Sequence, residues 1–363
     1  MRILEVKTGG RPVQMAPIAL GAQPMGSTMP EETAFACLDA FCQWGESRGA
    51  PVCVDTARVY SSWIPGGDGT SERTIGRWLS RSGNREKVVL STKGGHPAEP
   101  GLPRLDRESL RRDLAESLAH LNTDHVELYF LHRDDPRRPV GEILESLNEW
   151  VESGAVRALG ASNWRASRIE EANRYAASHG LQGFTVSQIQ WSLARTSPDK
   201  LGDPTLVCMT PAEYAWYREQ RFPVMAYTSQ AGGYFSKALS GASLSPGDQA
   251  RYGCEENSRR MERVKTICAR RGVTPAAGSR PPRYVWPPSR KIRSQAAPSW
   301  AFPPWRGCGT PCRTPRWSSR RRRWPGCGTA PRTIARFHNR MIPAPKAGSP
   351  LKKPACAGRL PTN

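Results

Sequence analysis

The chain has 363 residues, enough for one large domain or two smaller ones, and a net charge of +21. Such a basic excess normally points to nucleic acid or an anionic surface, but here it is confined to one stretch. Residues 278–363 hold 19 Lys and Arg and no acid, whereas residues 1–277 hold 34 basic and 32 acidic residues, the balance of an ordinary soluble enzyme.

The ten cysteines show no framework. Met1-Arg2-Ile3-Leu4-Glu5 does not read as a leader, and no run approaches the ~18 apolar residues of a membrane span. These features lead us to expect a cytoplasmic, reduced protein without a membrane partner.

Ile3–Val6 and Val13–Met15 flank Thr8-Gly9-Gly10-Arg11 and predict a hairpin. Residues 18–21 read as a strand, and Pro30-Glu31-Glu32 opens a helix with Phe35, Leu38 and Phe41 about one turn apart. Strand 52–55 is followed by helix 70–80, with Thr70 or Ser71 as the cap. Strand 87–92 leads to helix 106–121, where Leu110, Leu114, Leu118 and Leu121 form a stripe. Strand 125–131 precedes helix 139–152, strand 155–160 precedes helix 165–178, and strand 184–190 precedes a polar insert, 192–210, and helix 211–220. Strand 223–227 is followed by a Gly- and Ser-rich loop, 228–253, then helix 255–271; Pro275 reads as another helix start. Strands alternating with amphipathic helices predict a parallel sheet. Seven such units favour closure into a (β/α)8 barrel.

Active sites of such barrels lie at the C-terminal ends of the strands. Asp55 ends one predicted strand and Tyr60 follows on the same connection. Lys93 ends the next, in Ser91-Thr92-Lys93, and His132 ends the one after. A phenol has a pKa near ~10, too high for easy proton donation at neutral pH, and a lysine beside it would lower that value. The four residues therefore predict general acid catalysis. The bland alternative for any one of them is a rim ion pair or a packing residue.

The order of these residues, with Leu20-Gly21-Ala22-Gln23, "DTARVY", "STKGG", "LHRDDP", "GASNW" and "VSQIQWS", resembles the aldo/keto reductases from about Ala16 to Ala277. The resemblance implies a (β/α)8 TIM barrel and reduction of an aldehyde or ketone to an alcohol. It makes Tyr60 the proton donor, Lys93 its pKa-lowering neighbour, Asp55 the partner of Lys93, and His132 the residue that orients the carbonyl or assists proton transfer. It also implies NADP(H) lying across the barrel mouth. No Gly-x-Gly-x-x-Gly turn indicates a Rossmann site. By the same resemblance, Ser162, Asn163 and Gln188 hold the carboxamide, and Tyr227 stacks on the nicotinamide. The Gly21-Ala22-Gln23 backbone approaches the nicotinamide side, and Ser229, Gln230 and Gly232 fall at the pyrophosphate loop. Tyr227-Thr228-Ser229-Gln230 departs from the family's commoner Tyr-Ser-Pro-Leu. A non-catalytic NADP-binding regulatory barrel is the alternative from another class. The substrate, the preference between NADPH and NADH, and the oligomeric state are not legible.

Residues 278–363 carry 16 of the 33 prolines and show no helical or strand period. They read as a disordered basic tail in place of the eighth strand and last helix. Cys308-Gly309-Thr310-Pro311-Cys312 is encodable by bases that, one position out of register, read Leu-Arg-Asp-Ser-Leu. This leads us to expect a frameshift near residue 277 and, in the extreme case, an inactive product; resequencing the gene tests it. Cys308, Cys312 and Cys327 lack the spacing of a zinc site, so no metal is expected. The tail would attract polyanions without sequence preference, so no specific nucleic acid is expected. His120, His125 and His179 read as surface or packing residues; His96, after Lys93-Gly94-Gly95 at the rim, is placed to touch substrate, the bland alternative being a solvated loop histidine.

Overall fold

Two short strands open the described chain, which in this computed structural model comprises residues 3–99 and 102–274. Strands β1 (Leu4–Val6) and β2 (Val13–Met15) pair antiparallel, with Leu4 opposite Met15 and Val6 opposite Val13. Their alternate residues are buried, as a half-covered hairpin requires. The Pro275 helix and the tail expected from residue 278 lie outside the described residues.

Seven strands then pair in chain order in one parallel sheet. They are β3 (Ala19–Gly21), β4 (Val52–Asp55), β5 (Val88–Gly94), β6 (Val126–Leu131), β7 (Val156–Ser162), β8 (Phe184–Gln190) and β9 (Val224–Tyr227). Helices α1 (Glu31–Glu46), α2 (Thr70–Ser82), α3 (Arg107–Leu121), α4 (Val140–Glu152), α5 (Ala166–His179) and α6 (Pro211–Gln220) form the crossovers. The architecture is an incomplete (β/α)8 barrel, a curled parallel sheet of seven strands among the described residues.

The curl separates two apolar layers. Inside, Leu4, Val6, Val13 and Met15 of the hairpin pack on Cys53, Val89, Leu128, Phe130, Ala158, Val186 and Met225. The hairpin thus plugs one end of the barrel. Outside, helix stripes cover the other face: Leu110, Leu114 and Leu121 of α3 are at most 3% exposed. Each such burial contributes roughly 1.5–3 kcal/mol. Helix α3 is capped at both ends, with Asp106 Oδ1 accepting from Ser109 N at 2.8 Å and Asn122 left-handed at φ 51°.

Two local expectations are corrected. Helix α2 is not capped by Thr70 or Ser71; Gly69, at φ 65°, precedes it without a side-chain cap. The Ser71 hydroxyl turns inward to the Ala22 carbonyl, 2.7 Å, and to Thr56 Oγ1, 2.9 Å. The stretch 228–253 is not only loop. It contains α7 (Tyr234–Leu239) and α8 (Pro246–Tyr252), ahead of α9 (Glu255–Arg271). Ser245 and Asp248 cap α8 reciprocally. Tyr234, Phe235 and Tyr252 bury together with Ala194 and Ala231, which anchors this stretch over the end of β8.

Candidate active site

The parallel register aligns the strand ends. Gly21 lies opposite Asp55, Asp55 opposite Ser91, Ser162 opposite Gln188, and Gln190 opposite Tyr227. A cavity of about 580 Å³ is lined by Asp55, Tyr60, His132, Ser162, Asn163 and Gln188 among others. The structure therefore brings three of the four candidate catalytic residues to one opening. Lys93 stands directly behind them.

Lys93 is 1% exposed, and each of its three ammonium protons has a partner. Nζ lies 2.8 Å from Asp55 Oδ2, 2.6 Å from the Thr56 carbonyl and 3.2 Å from the Tyr60 hydroxyl. Asp55 is held in turn, its Oδ1 accepting from Ser91 Oγ at 2.7 Å and Gln188 Nε2 at 3.2 Å. A lysine can only donate, so it binds the oxygen of Tyr60 and leaves the phenol proton free to point elsewhere. Backbone strain gathers along this rim. Ser61, Asn163, Thr228 and Ala231 all have positive φ, between 49° and 74°. Non-glycine residues hold such angles only where their surroundings impose them.

The electrostatics differ from expectation in one respect. Burial pushes the Tyr60 phenol upward, Lys93 pulls it down, Asp55 pushes it up again, and the balance lies above the ordinary phenol value. Lys93 does act in the expected sense, but desolvation outweighs it. Burial also works against the Lys93 charge, yet Asp55 and Tyr60 prevail and its pKa rises. His132 is held well below the usual histidine range by burial, then by Arg133, Lys93 and His96. At neutral pH the site thus holds a protonated phenol, a charged ammonium and a neutral imidazole.

The residues expected at a cofactor separate into two sets. Gly21, Gln23, Asp55, Ser162, Asn163, Gln188, Tyr227 and Ser229 all line the cavity. Ala22 is fully buried beneath it, its amide donating to the Asp55 carbonyl at 2.9 Å. Gln230 and Gly232 are not among the lining residues and belong to the tight turn that follows Ser229. A nicotinamide ring fits the first set chemically: the added Cβ of a residue at Gly21 would meet nothing within 4 Å, so the backbone there is open to a flat ring. The Asn163 amide is already engaged. It donates to the His132 carbonyl at 3.2 Å and accepts from Tyr227 Oη at 2.7 Å and Val207 N at 3.1 Å.

Sequence reasoning missed three contributors, Ser91, Thr56 and Arg133, and placed a fourth, His96, only at the rim. Ser91 and Thr56 complete the shell around Asp55 and Lys93. Ser91 was detectable, because it stands two residues before Lys93 and so shares its side of the strand. Arg133 joins the rim to the polar insert, with Nε 2.9 Å from Thr205 Oγ1. His96 packs against His132 with ring centroids 4.8 Å apart. No local sequence signal marked Arg133, whereas His96 was legible as a loop residue at the rim but not as a neighbour of His132.

Comparison with known proteins places this geometry in a lineage. Residues 17–279 match the model of the Aldo/keto reductase family, within two residues of the stretch that carries the sequence motifs. A norsolorinic acid reductase of Emericella nidulans is 32% identical over 195 residues, 50% of this chain and 48% of the relative. An aryl-alcohol dehydrogenase of Pestalotiopsis microspora is 30% identical over 194 residues, 50% of this chain and 48% of the relative. The chain thus spans about half the length of these curated relatives. An uncharacterized oxidoreductase of Bacillus subtilis, YrpG, is 30% identical over 269 residues, 72% of this chain and 77% of the relative. The family match covers most of the chain and the motif residues stand together at the strand ends, so the chain belongs to the aldo/keto reductase family.

Proposed function

We propose that the chain is an NADP(H)-dependent oxidoreductase that reduces an aldehyde or ketone to an alcohol, with Tyr60 as general acid. The observation that carries this reading is the bond from Lys93 Nζ to the Tyr60 oxygen at 3.2 Å, at the edge of a cavity shared with His132. Bound in that cavity, the dihydronicotinamide would supply the hydride that no side chain can donate. Gln188 and Ser162 would hold its carboxamide, and Tyr227 would cover its ring.

The protein's own groups then handle the proton. A carbonyl oxygen beside Tyr60 gains negative charge as its carbon is reduced. The free phenol proton moves onto that oxygen, and the phenolate left behind is stabilised by Lys93 at 3.2 Å. Neutral His132 presents a ring nitrogen to the same oxygen and orients it. Positioned acid catalysis of this kind contributes about 10²–10⁴-fold.

The relatives named for norsolorinic acid and aryl alcohols direct the first assays to aryl carbonyls. Cys42, Cys53, Cys208, Cys254 and Cys268 are free thiols, which suits a reducing cytoplasm. Among the described residues no helix is long and apolar enough to cross a membrane. The test is oxidation of NADPH by the purified chain with aryl aldehydes. Nucleotide binding without turnover of any carbonyl would favour a regulatory barrel instead.

A further inference from the structure

The His132 imidazole has an exceptional setting for a working histidine. Such a ring usually has its orientation set by a hydrogen bond at the nitrogen it does not use. Here Nδ1 is buried and has no hydrogen-bond partner. The main chain of His132 is well fixed, since its N–H donates to the Gly94 carbonyl at 2.8 Å and its carbonyl accepts from Arg133 Nη1 at 2.9 Å and Asn163 Nδ2 at 3.2 Å. Two other rings flank the imidazole. Tyr60 meets it edge-on with centroids 5.9 Å apart and planes at 77°, and His96 at 4.8 Å and 75°.

His96 is the fixed member of this stack. Its Nδ1 lies 2.9 Å from the Pro97 carbonyl, which can only accept, so Nδ1 carries a proton and the ring is anchored. It does not line the main cavity. It lines a smaller one of about 180 Å³, together with Lys93 and Gly94. His96 therefore borders a different space from the cavity that Tyr60 and His132 line.

We propose that His96 is a positioning residue for His132: its anchored ring wedges edge-on against the imidazole and sets the angle at which that imidazole faces the cavity. Edge-to-face contact is a geometry that aromatic pairs prefer, and it needs no polar partner. The assignment rests on the carbonyl-reductase reading of the cavity only in its kinetic consequence; the ring contact itself does not.

The test compares His96→Leu, which fills the volume without a flat ring, with His96→Phe, which restores the ring. With NADPH and an aryl aldehyde, His96→Leu lowers kcat about tenfold and leaves KM for NADPH within about twofold, because a tilted imidazole misplaces the carbonyl and not the cofactor. His96→Phe returns kcat to within about threefold of the parent protein, because the edge contact is restored. A parent-like kcat in His96→Leu overturns the proposal, as does a His96→Phe protein no faster than the Leu variant. A second readout is independent of turnover. In histidine-labelled protein, the His132 ring carbon signals, assigned with His132→Asn, shift or broaden in His96→Leu and return in His96→Phe. Unchanged signals in His96→Leu overturn the ring contact. If the parent protein reduces no carbonyl, the reading of the cavity fails, and these signals alone decide whether His96 sets the ring.

Discussion

Lys93 binds Tyr60 through the phenol's oxygen, at 3.2 Å, while its two other protons are held by Asp55 and Thr56. The phenol is thereby polarised from one side and left to donate on the other. Tyr60→Phe removes the donated proton and one weak bond of Lys93, and leaves the rest of the cavity in place. Turnover should fall by about 10²–10⁴-fold while NADPH affinity, measured by fluorescence titration, stays near that of the parent. A variant that keeps most of its rate would remove Tyr60 from the acid role.

Lys93→Met should damage both fold and chemistry. Asp55, 9% exposed, would lose its cation and keep only Ser91 and Gln188. Removing one partner of a buried pair typically costs about 3–5 kcal/mol. Urea unfolding should show that loss. Lys93→Met/Asp55→Asn, which leaves no unpaired charge, should recover part of the stability and none of the activity. Full stability in the single variant would mean that the pair is less buried than the structure shows.

The pH dependence follows from three directions. Tyr60 is raised above the ordinary phenol value, Lys93 is raised, and His132 is lowered. None of the three changes charge between about pH 7 and about pH 9, given ordinary values near ~6.5 for histidine and ~10 for tyrosine and lysine. Reduction, which needs the protonated phenol, should be flat across that interval and fall only above it. Alcohol oxidation, which needs the phenolate, should climb with pH over the same range. A reduction rate that halves between those two pH values would show that the phenol titrates lower.

At the other end of the sheet, Glu127 is a buried carboxylate with a structural task. It accepts from Leu90 N at 2.7 Å and pairs with Arg85 at 3.0 Å and His125 at 3.1 Å. Glu127→Ala should lower the unfolding free energy by about 3–5 kcal/mol. The loss should also depend on pH. Glu127 is the main cause that raises the His125 pKa, with burial opposing and Asp124 adding. A raised histidine contributes stability below its unfolded value, near ~6.5, and loses it as pH climbs through the folded value. The gap between parent and variant should therefore be larger at about pH 6 than at about pH 8. Equal gaps would uncouple the two side chains.

Gly160 lies opposite Phe130, and a Cβ there would come within 2.4 Å of the ring. Gly160→Ala should cost about 1–3 kcal/mol by overpacking. In a Phe130→Leu background the same change should cost less, since the two sites are coupled. Identical losses in both backgrounds would place the strain elsewhere.

Much of this architecture was legible because periodicity encodes it. The stripe at Leu110, Leu114 and Leu121 marked α3, and the apolar run Val52–Val54 marked β4 with Asp55 at its end. Strand ends were therefore known, and with them the meeting of Asp55, Lys93 and His132. What escaped depends on depth and on partners distant in sequence. Lys93 was visible as a neighbour of Tyr60, but the desolvation that outweighs it was not. Ser71 has the chemistry of a cap, yet its hydroxyl is claimed from within, donating to the Ala22 carbonyl and bonded to Thr56 Oγ1. Helix α7 is short and bounded by glycines, so no period could develop before Tyr234 and Phe235 were buried by tertiary contact.

The saturated Asn163 amide has a consequence for any guest in the cavity. Both lone pairs of its oxygen are committed, one to Tyr227 and one to the amide of Val207 in the insert. A molecule that claims this oxygen can do so only by exchange, releasing one of those two donors. Whichever is released, the news travels: to the aromatic wall at Tyr227, or to the segment around Val207 that borders the mouth. Occupancy of the floor and the posture of the rim are thus written into the same side chain, so a ligand's arrival would be felt at a place it never touches.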